Sequence, residues 1–109
     1  MNQELKQKWI DALRSGKYKQ GTGRLKQIIN GESTFCCLGV LCDVAGLEWH
    51  LRNENIYGIE MPDSRINTAG LGDSPLFEIS NEEQIKLWTF NDVRGHSFAE
   101  IANYIEINL

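Results

Sequence analysis

The sequence predicts an α+β fold: one small domain in which helices pack around a central buried helix, with one or two short β-hairpins. Three observations predict it. Residues 35–45 are apolar on nearly every side, as expected for a helix enclosed by other elements. Amphipathic helical patterns occur near both ends of the chain. Asn30-Gly31 lies between two short apolar runs, and this dipeptide favours the type I′ turn of a hairpin.

Length and composition are those of a single globular domain covering residues 1–109. Of these residues 41% are hydrophobic and 24% are charged, which is close to the average for folded domains. No apolar run reaches the roughly 18 residues that a membrane span needs, and the N-terminus has no apolar signal-peptide core. We therefore expect a cytoplasmic protein that has no membrane partner.

The N-terminal half predicts two helices and two hairpins. A helix over about residues 2–15 is indicated by apolar positions at helical spacing, and Gly16 stands where a C-cap glycine would. A hairpin follows, with strands within 25–29 and 33–35. The central helix covers about residues 36–45, and looser alternation over 47–61 indicates a second hairpin.

The C-terminal half predicts three more helices, of which the first is short. Pro62 suits the first turn of a short helix over 62–69. An extended segment is expected over 75–79. Ser80 or Asn81 can then cap a helix over about 82–91.

The last helix is predicted over about residues 97–107, because Ser97 and Glu100 have the spacing of a capping box. Its predicted buried positions are Phe98, Ile101, Ala102, Ile105 and Leu109. Residues 97–105 also resemble the first helix of a helix-turn-helix motif. The recognition helix would have to follow, and no segment after Leu109 provides it. Together with the acidic net charge, this argues against a DNA partner.

The three cysteines are expected to be free structural thiols. They are odd in number and two are adjacent, at Cys36 and Cys37, which makes a poor disulfide framework. No C-x-x-C pair occurs, and Cys37 and Cys42 would project from different faces of a helix, so no metal is expected. His50 or His96 could pair with a cysteine nucleophile, but a buried thiol has a raised pKa and attacks poorly.

Other catalytic and cofactor motifs are also missing. Glu82 and Glu83 fall in the first turn of a predicted helix, where carboxylates stabilise the helix without further function. The Gly21-Thr22-Gly23 segment lacks the third glycine and the following helix of a dinucleotide-binding fingerprint. We therefore expect neither an enzyme nor a cofactor.

One segment with binding chemistry remains, and it is basic. Residues 1–26 contain seven Lys or Arg and two acidic residues, although the net charge of the chain is −4. Between Arg14 and Arg24, basic side chains, a tyrosine, an amide and two glycines can hold a phosphate or nucleotide by charge-assisted hydrogen bonds, backbone N–H groups and base stacking. The candidate ligand-binding residues are Arg14, Lys17, Tyr18, Lys19, Gln20, Gly21, Gly23, Arg24, Asn91 and Asp92. Alternatively, this loop is a solvated turn whose lysines pair with the acidic remainder.

Three segments resemble a family of small bacteriophage and prophage proteins. They are residues 9–25, with the pattern W-x-x-A-L-R-S-G-x-Y-x-Q-G-x-G-x-L, residues 35–43, with FCCLGVLCD, and residues 91–105, with N-D followed by S-F-x-E-I-A. The middle of the chain is less similar, and Phe90 stands where such proteins tend to have leucine. The resemblance implies a phage setting in the cytosol of a host cell.

Phage accessory proteins of this size often act by binding. The expected function is therefore a non-enzymatic host-defence antagonist that sequesters a small anionic, nucleotide-derived ligand. The alternative is a protein-binding module that blocks a host or phage protein, or that forms a homo-oligomer. Large aromatic side chains dominate interface energies, so Trp49, Tyr57 and Trp88 are its candidate anchors.

Overall fold

The structure, a computed structural model, describes residues 1–46, 50–53, 59–61 and 79–109. Its helices and strands are, in order, α1 (Gln3–Arg14), β1 (Lys26–Ile29), β2 (Glu32–Phe35), α2 (Cys37–Val44), β3 (His50–Asn53), β4 (Ile59–Met61), α3 (Asn81–Asp92) and α4 (Phe98–Asn108). The predicted α+β class is confirmed. The short helix expected over 62–69 lies outside the described residues, as does the segment 75–79 apart from Ile79.

Helix α2 lies at the centre of the core, as its all-round apolar sequence predicts. Each of its residues from position 37 to position 42 is buried, and the helix packs against α1, α3 and β2. The Trp9 ring of α1 is also buried, and its Nε1 donates a 2.9 Å hydrogen bond to the carbonyl oxygen of Cys37. The polar atom of this large side chain is therefore satisfied inside the core.

Gly39 allows α2 to approach the neighbouring backbone very closely. A Cβ atom at this position would lie 1.7 Å from the carbonyl oxygen of Leu25. The same oxygen accepts a hydrogen bond from the backbone N–H of Cys36 at 3.3 Å. Gly39 therefore permits a close approach to the residue just before β1.

The first hairpin forms as predicted, and it is extended into a sheet. Asn30 and Gly31 have φ values of +53° and +78°, which are the positive values that a type I′ turn requires. Strands β3 and β4 form the second hairpin, and β4 also pairs antiparallel with β1. The resulting strand order is β2-β1-β4-β3. The Asn30-Gly31 turn and the alternation over 47–61 predict the two hairpins but not their union.

The last two helices begin at the predicted caps. The Ser80 side chain accepts a hydrogen bond from the N–H of Glu83 at the start of α3. Ser97 and Glu100 form the complete capping box at the start of α4. Leu109 is only partly buried, whereas the other predicted positions of the α4 stripe are buried. Among the described residues, no helix is long and apolar enough to cross a lipid bilayer.

Candidate functional site

The basic loop, residues 17–24, is joined by side-chain hydrogen bonds to the α3–α4 junction, residues 91–97. The Gln20 side-chain Nε2 donates to Asn91 Oδ1 and to the backbone oxygen of His96, both at 2.8 Å. Asn91 Nδ2 donates to the carbonyl oxygen of Gly21 at 2.8 Å and to Asp92 Oδ1 at 2.7 Å. Four of the predicted site residues, from two segments that are distant in sequence, therefore form one network. Asn91 lies at the centre of this network and is only 1% exposed.

The two glycines of the basic loop have different roles. The N–H of Gly21 donates to the carbonyl oxygen of Phe35 at 2.7 Å, and a Cβ at Gly21 would lie 2.6 Å from Thr34 Oγ1. This glycine therefore allows close contact with β2. Gly23 has a φ of +80°, and no described atom lies within 4 Å of the position that its Cβ would take. Its backbone lies at an open turn.

Tyr18 packs onto the body of the protein. Its hydroxyl donates a 2.5 Å hydrogen bond to Asp43 Oδ2, and its ring meets the Phe35 ring edge to face at a centroid distance of 5.0 Å. Burial, followed by the contact with Asp43, raises the pKa of Tyr18 to about 12. The hydroxyl therefore stays protonated at neutral pH as a hydrogen-bond donor. Base stacking, the role expected from the sequence, would have to use the part of the ring that remains exposed.

Two of the predicted basic residues form ion pairs. Arg14 Nη1 lies 2.9 Å from Glu106 Oε2, and Arg14 Nη2 donates to Asn103 Oδ1 at 2.8 Å. These contacts connect α1 to α4, and the guanidinium lowers the pKa of Glu106. Lys19 Nζ lies 2.6 Å from Glu32 Oε2. Arg14 and Lys19 are therefore paired with acidic side chains, as expected under the alternative interpretation of the basic segment.

The other two predicted basic residues have no acidic partner within the part of the chain that the structure describes. Lys17 and Arg24 are both exposed. The Arg24 guanidinium donates only to the adjacent carbonyl oxygen of Gly23, at 2.9 Å. Among the described residues, the backbone N–H groups of Thr22, Gly23 and Arg24 also have no acceptor. The loop therefore carries an exposed positive charge at its first and at its last residue, and three consecutive N–H donors without an acceptor among the described residues.

The three cysteines are free and buried. Burial raises the pKa of the Cys36 thiol to about 11, and it also raises the pKa values of Cys37 and Cys42. All three thiols are therefore protonated at neutral pH and are poor nucleophiles. Within residues 1–46 and 79–109, no group of three His, Cys, Asp or Glu side chains is placed to hold a metal ion.

A cleft between α3 and α4 was not expected from the sequence. It has a volume of about 320 Å³. Its lining residues are Phe90, His96, Glu100, Ile101, Asn103 and Tyr104. The sequence contains one signal of this cleft: at helical spacing, positions 100, 103 and 104 lie on the same face of α4. That face borders the buried stripe, and only the packing of α3 beside it makes a cleft.

The chain was compared with protein families, curated proteins and solved structures. No curated protein and no solved structure matched it. One family model matches residues 1–109, over the whole of the sequence, and it is described as a domain of unknown function, DUF8296. The chain therefore belongs to the DUF8296 family.

Proposed function

We propose that this protein is a non-enzymatic binding protein for a small anionic, nucleotide-like ligand, and that the basic loop holds the phosphate groups of that ligand. The observation that carries the proposal is the set of donors in this loop. Lys17 and Arg24 are exposed, without acidic partners among the described residues, and the N–H groups of residues 22–24 have no acceptor among them. Cationic side chains and consecutive backbone N–H groups are the donors that phosphate oxygens prefer.

The anchoring of the loop supports the same proposal. Gln20 is held by Asn91 and His96, and Gly21 is held by Phe35. A loop that the fold already holds in place loses little conformational entropy when a ligand binds. On the other side of the exposed turn at residues 22–24, Leu25 is buried and its carbonyl oxygen accepts from the Cys36 N–H. The turn therefore lies between two anchored residues, which favours affinity for a small ligand.

Electrostatics supports a local anion site on an acidic protein. The net charge of −4 would repel a phosphate at long range. Because Arg14 and Lys19 are already paired with carboxylates, Lys17 and Arg24 are the two candidate-site cations left to attract the ligand. We therefore assign Arg14 and Lys19 to structural support, and Lys17 and Arg24 to direct contact with the ligand.

The wider role follows from the resemblance to bacteriophage and prophage proteins. In that setting, the protein withholds a nucleotide-derived signal from a host-defence effector in the cytosol. The buried, protonated thiols support a binding role without catalysis.

A protein partner is the second candidate, and exposed apolar side chains favour it. Ile85, Val93 and Ile107 are 53%, 71% and 81% exposed. Trp88 is partly buried and packs against the core, whereas the other two proposed anchors, Trp49 and Tyr57, lie outside the described residues. Under this alternative, the protein acts by blocking a host or phage protein or by self-association, and changes in the basic loop leave binding unaffected.

The test is calorimetry of the full chain against inorganic pyrophosphate and a panel of linear and cyclic nucleotides. We expect at least one nucleotide to bind, and the Lys17→Ala/Arg24→Ala variant to bind it about tenfold or more weakly. The Lys8→Ala/Lys86→Ala variant is the matched control, because it removes the same charge from α1 and α3. Absence of binding across the panel, or equal losses in both variants, would reject the proposal.

A further inference from the structure

We propose that the cleft between α3 and α4 is a base subsite, which binds a planar nitrogen heterocycle carrying an amino group. This inference rests on the proposed function, because it assigns the uncharged part of the same nucleotide-like ligand to a second surface. The cleft volume of about 320 Å³ lies at the lower end of the range for small-molecule sites, which begins near 300 Å³.

Aromatic rings line the cleft in a fixed cluster. The Phe90 ring meets the His96 ring edge to face at a centroid distance of 5.3 Å, and it meets the Tyr104 ring in the same way at 4.9 Å. The Tyr104 hydroxyl donates a 3.0 Å hydrogen bond to Glu83, which holds that ring in place. Rigid aromatic side chains are the usual platform for a nucleobase, since every base has a flat π-face.

Two polar side chains supply an acceptor and a donor beside these rings. Glu100 Oε1 accepts from the Ser97 N–H at 3.0 Å, and its Oε2 makes only a 3.4 Å contact with His96 Nδ1. Hydrogen bonds from Ser97 lower the pKa of Glu100, so the carboxylate is ionised at neutral pH. Asn103 Oδ1 accepts from Arg14, while its Nδ2 has no acceptor among the described residues.

This pair of groups matches the edge of an aminated base. An exocyclic amino group can donate to Glu100 Oε2, and a ring nitrogen can accept from Asn103 Nδ2. Adenine and cytosine carry an amino donor next to a ring acceptor, whereas uracil and thymine carry no amino group. The proposal therefore commits to amino-bearing bases as the ligand class.

The cleft and the basic loop meet at His96. The imidazole of His96 lines the cleft, and its backbone oxygen accepts the hydrogen bond from Gln20 of the loop. Asn103, which also lines the cleft, is held by Arg14. The base subsite is therefore connected through Gln20 to the basic loop, to which we assign phosphate binding.

The test titrates the isotope-labelled full chain with two separate probes and follows the amide resonances by NMR. Adenosine and cytidine lack phosphate and should shift the resonances of residues 96–104. Inorganic pyrophosphate should shift those of residues 22–24. Uridine, which has no amino group, should bind the cleft about fivefold or more weakly than cytidine.

Variants of Tyr104 and Asn103 test the assignment of the cleft. Tyr104→Leu removes the ring and should weaken adenosine binding about tenfold, whereas Tyr104→Phe keeps the ring and should retain it. Asn103 is exposed, so Asn103→Ala remains informative if Tyr104→Leu does not fold. The Asn103→Ala variant should also weaken adenosine binding.

The two proposals fail in different ways. If the nucleosides cause no shifts at residues 96–104, or if they bind Asn103→Ala and Tyr104→Leu as tightly as the unaltered protein, the base subsite is wrong, whatever pyrophosphate does. If nucleosides bind the cleft but pyrophosphate and nucleotides do not use the loop, the proposed function is wrong and the base subsite is supported.

Discussion

At position 91 the chain buries an amide side chain whose three hydrogen-bonding groups all have partners. One oxygen accepts from Gln20, and two N–H groups donate to Gly21 and Asp92. Buried polar groups stabilise a fold only when they are paired, and they are costly when one partner is removed. Asn91 therefore couples the position of the basic loop to the end of α3.

Replacing this amide should destabilise the protein. We expect Asn91→Ala to lower the free energy of unfolding by about 2–4 kcal/mol, because it removes one of the two hydrogen bonds of Gln20 Nε2 and the side-chain donor to the Gly21 carbonyl oxygen. Urea denaturation followed by circular dichroism measures the change. Asn108→Ala, at an exposed position of α4, is the control and should stay within about 0.5 kcal/mol of the unaltered protein. Similar small losses in both variants would contradict the role assigned to Asn91.

Gly39 provides the second prediction at the scale of one residue. A Cβ there would lie 1.7 Å from a backbone oxygen, so Gly39→Ala forces α2 and residue 25 apart. We expect a loss of about 3 kcal/mol or more in unfolding free energy. Gly16→Ala is the comparison, since Gly16 has open space and a φ of +76° and should lose only about 1–2 kcal/mol. An equal or smaller effect at Gly39 would show that the close approach is not required.

At the scale of one element, α2 and its N-cap residue carry all three buried thiols. Burial raises each thiol pKa above its value in the unfolded chain. The folded state therefore binds more protons than the unfolded state once the pH exceeds the unfolded thiol pKa. Stability from this source is complete below about pH 9 and is lost as pH rises through the folded values. Tyr18 acts in the same direction above its ordinary pKa.

The predicted consequence is alkaline destabilisation. Between about pH 9 and pH 11, each thiol should remove up to about 1.4 kcal/mol of unfolding free energy per pH unit. Urea denaturation at several pH values measures this slope. The Cys42→Ala variant should show a shallower slope than the unaltered protein, even if its stability at pH 7 is lower. A stability that does not change up to about pH 10.5 would contradict the burial of these groups.

At the scale of the whole molecule, the four basic residues of the candidate site divide into two groups. Arg14 and Lys19 neutralise carboxylates. Lys17 and Arg24, at the two ends of the basic loop, have no acidic partner among the described residues, on a protein of net charge −4. The anion site proposed there depends on a local attraction that has to exceed a general repulsion, and both interactions are screened by salt.

Salt dependence therefore tests this arrangement. We expect the affinity for pyrophosphate to fall about tenfold between roughly 50 mM and 500 mM sodium chloride. The affinity depends mainly on the attraction between two exposed cations and the anion, and salt screens this attraction. Calorimetry at a series of salt concentrations measures the slope. The Lys17→Ala/Arg24→Ala variant should show almost no slope. An affinity that rises with salt would mean that repulsion by the acidic surface dominates.

Local signals in the sequence determined most of the elements. The capping box at Ser97, the Asn30-Gly31 turn and the apolar segment that forms α2 each predicted a structure that is present. These signals work because caps, turns and burial depend on residues a few positions apart. The joining of the two hairpins into one sheet depends on backbone pairing between β1 and β4, and no short-range pattern encodes it.

For the candidate site, the residue types could be recognised from the sequence: the basic loop, its two glycines, and Asn91 as a member of the set. How these residues are used depends on the fold. It paired Arg14 with Glu106, packed Tyr18 against Asp43, connected Gln20 to Asn91, and formed a cleft beside His96. The physical reason is that hydrogen bonds, ion pairs and cavities depend on distances between residues far apart in the chain, and packing alone sets those distances.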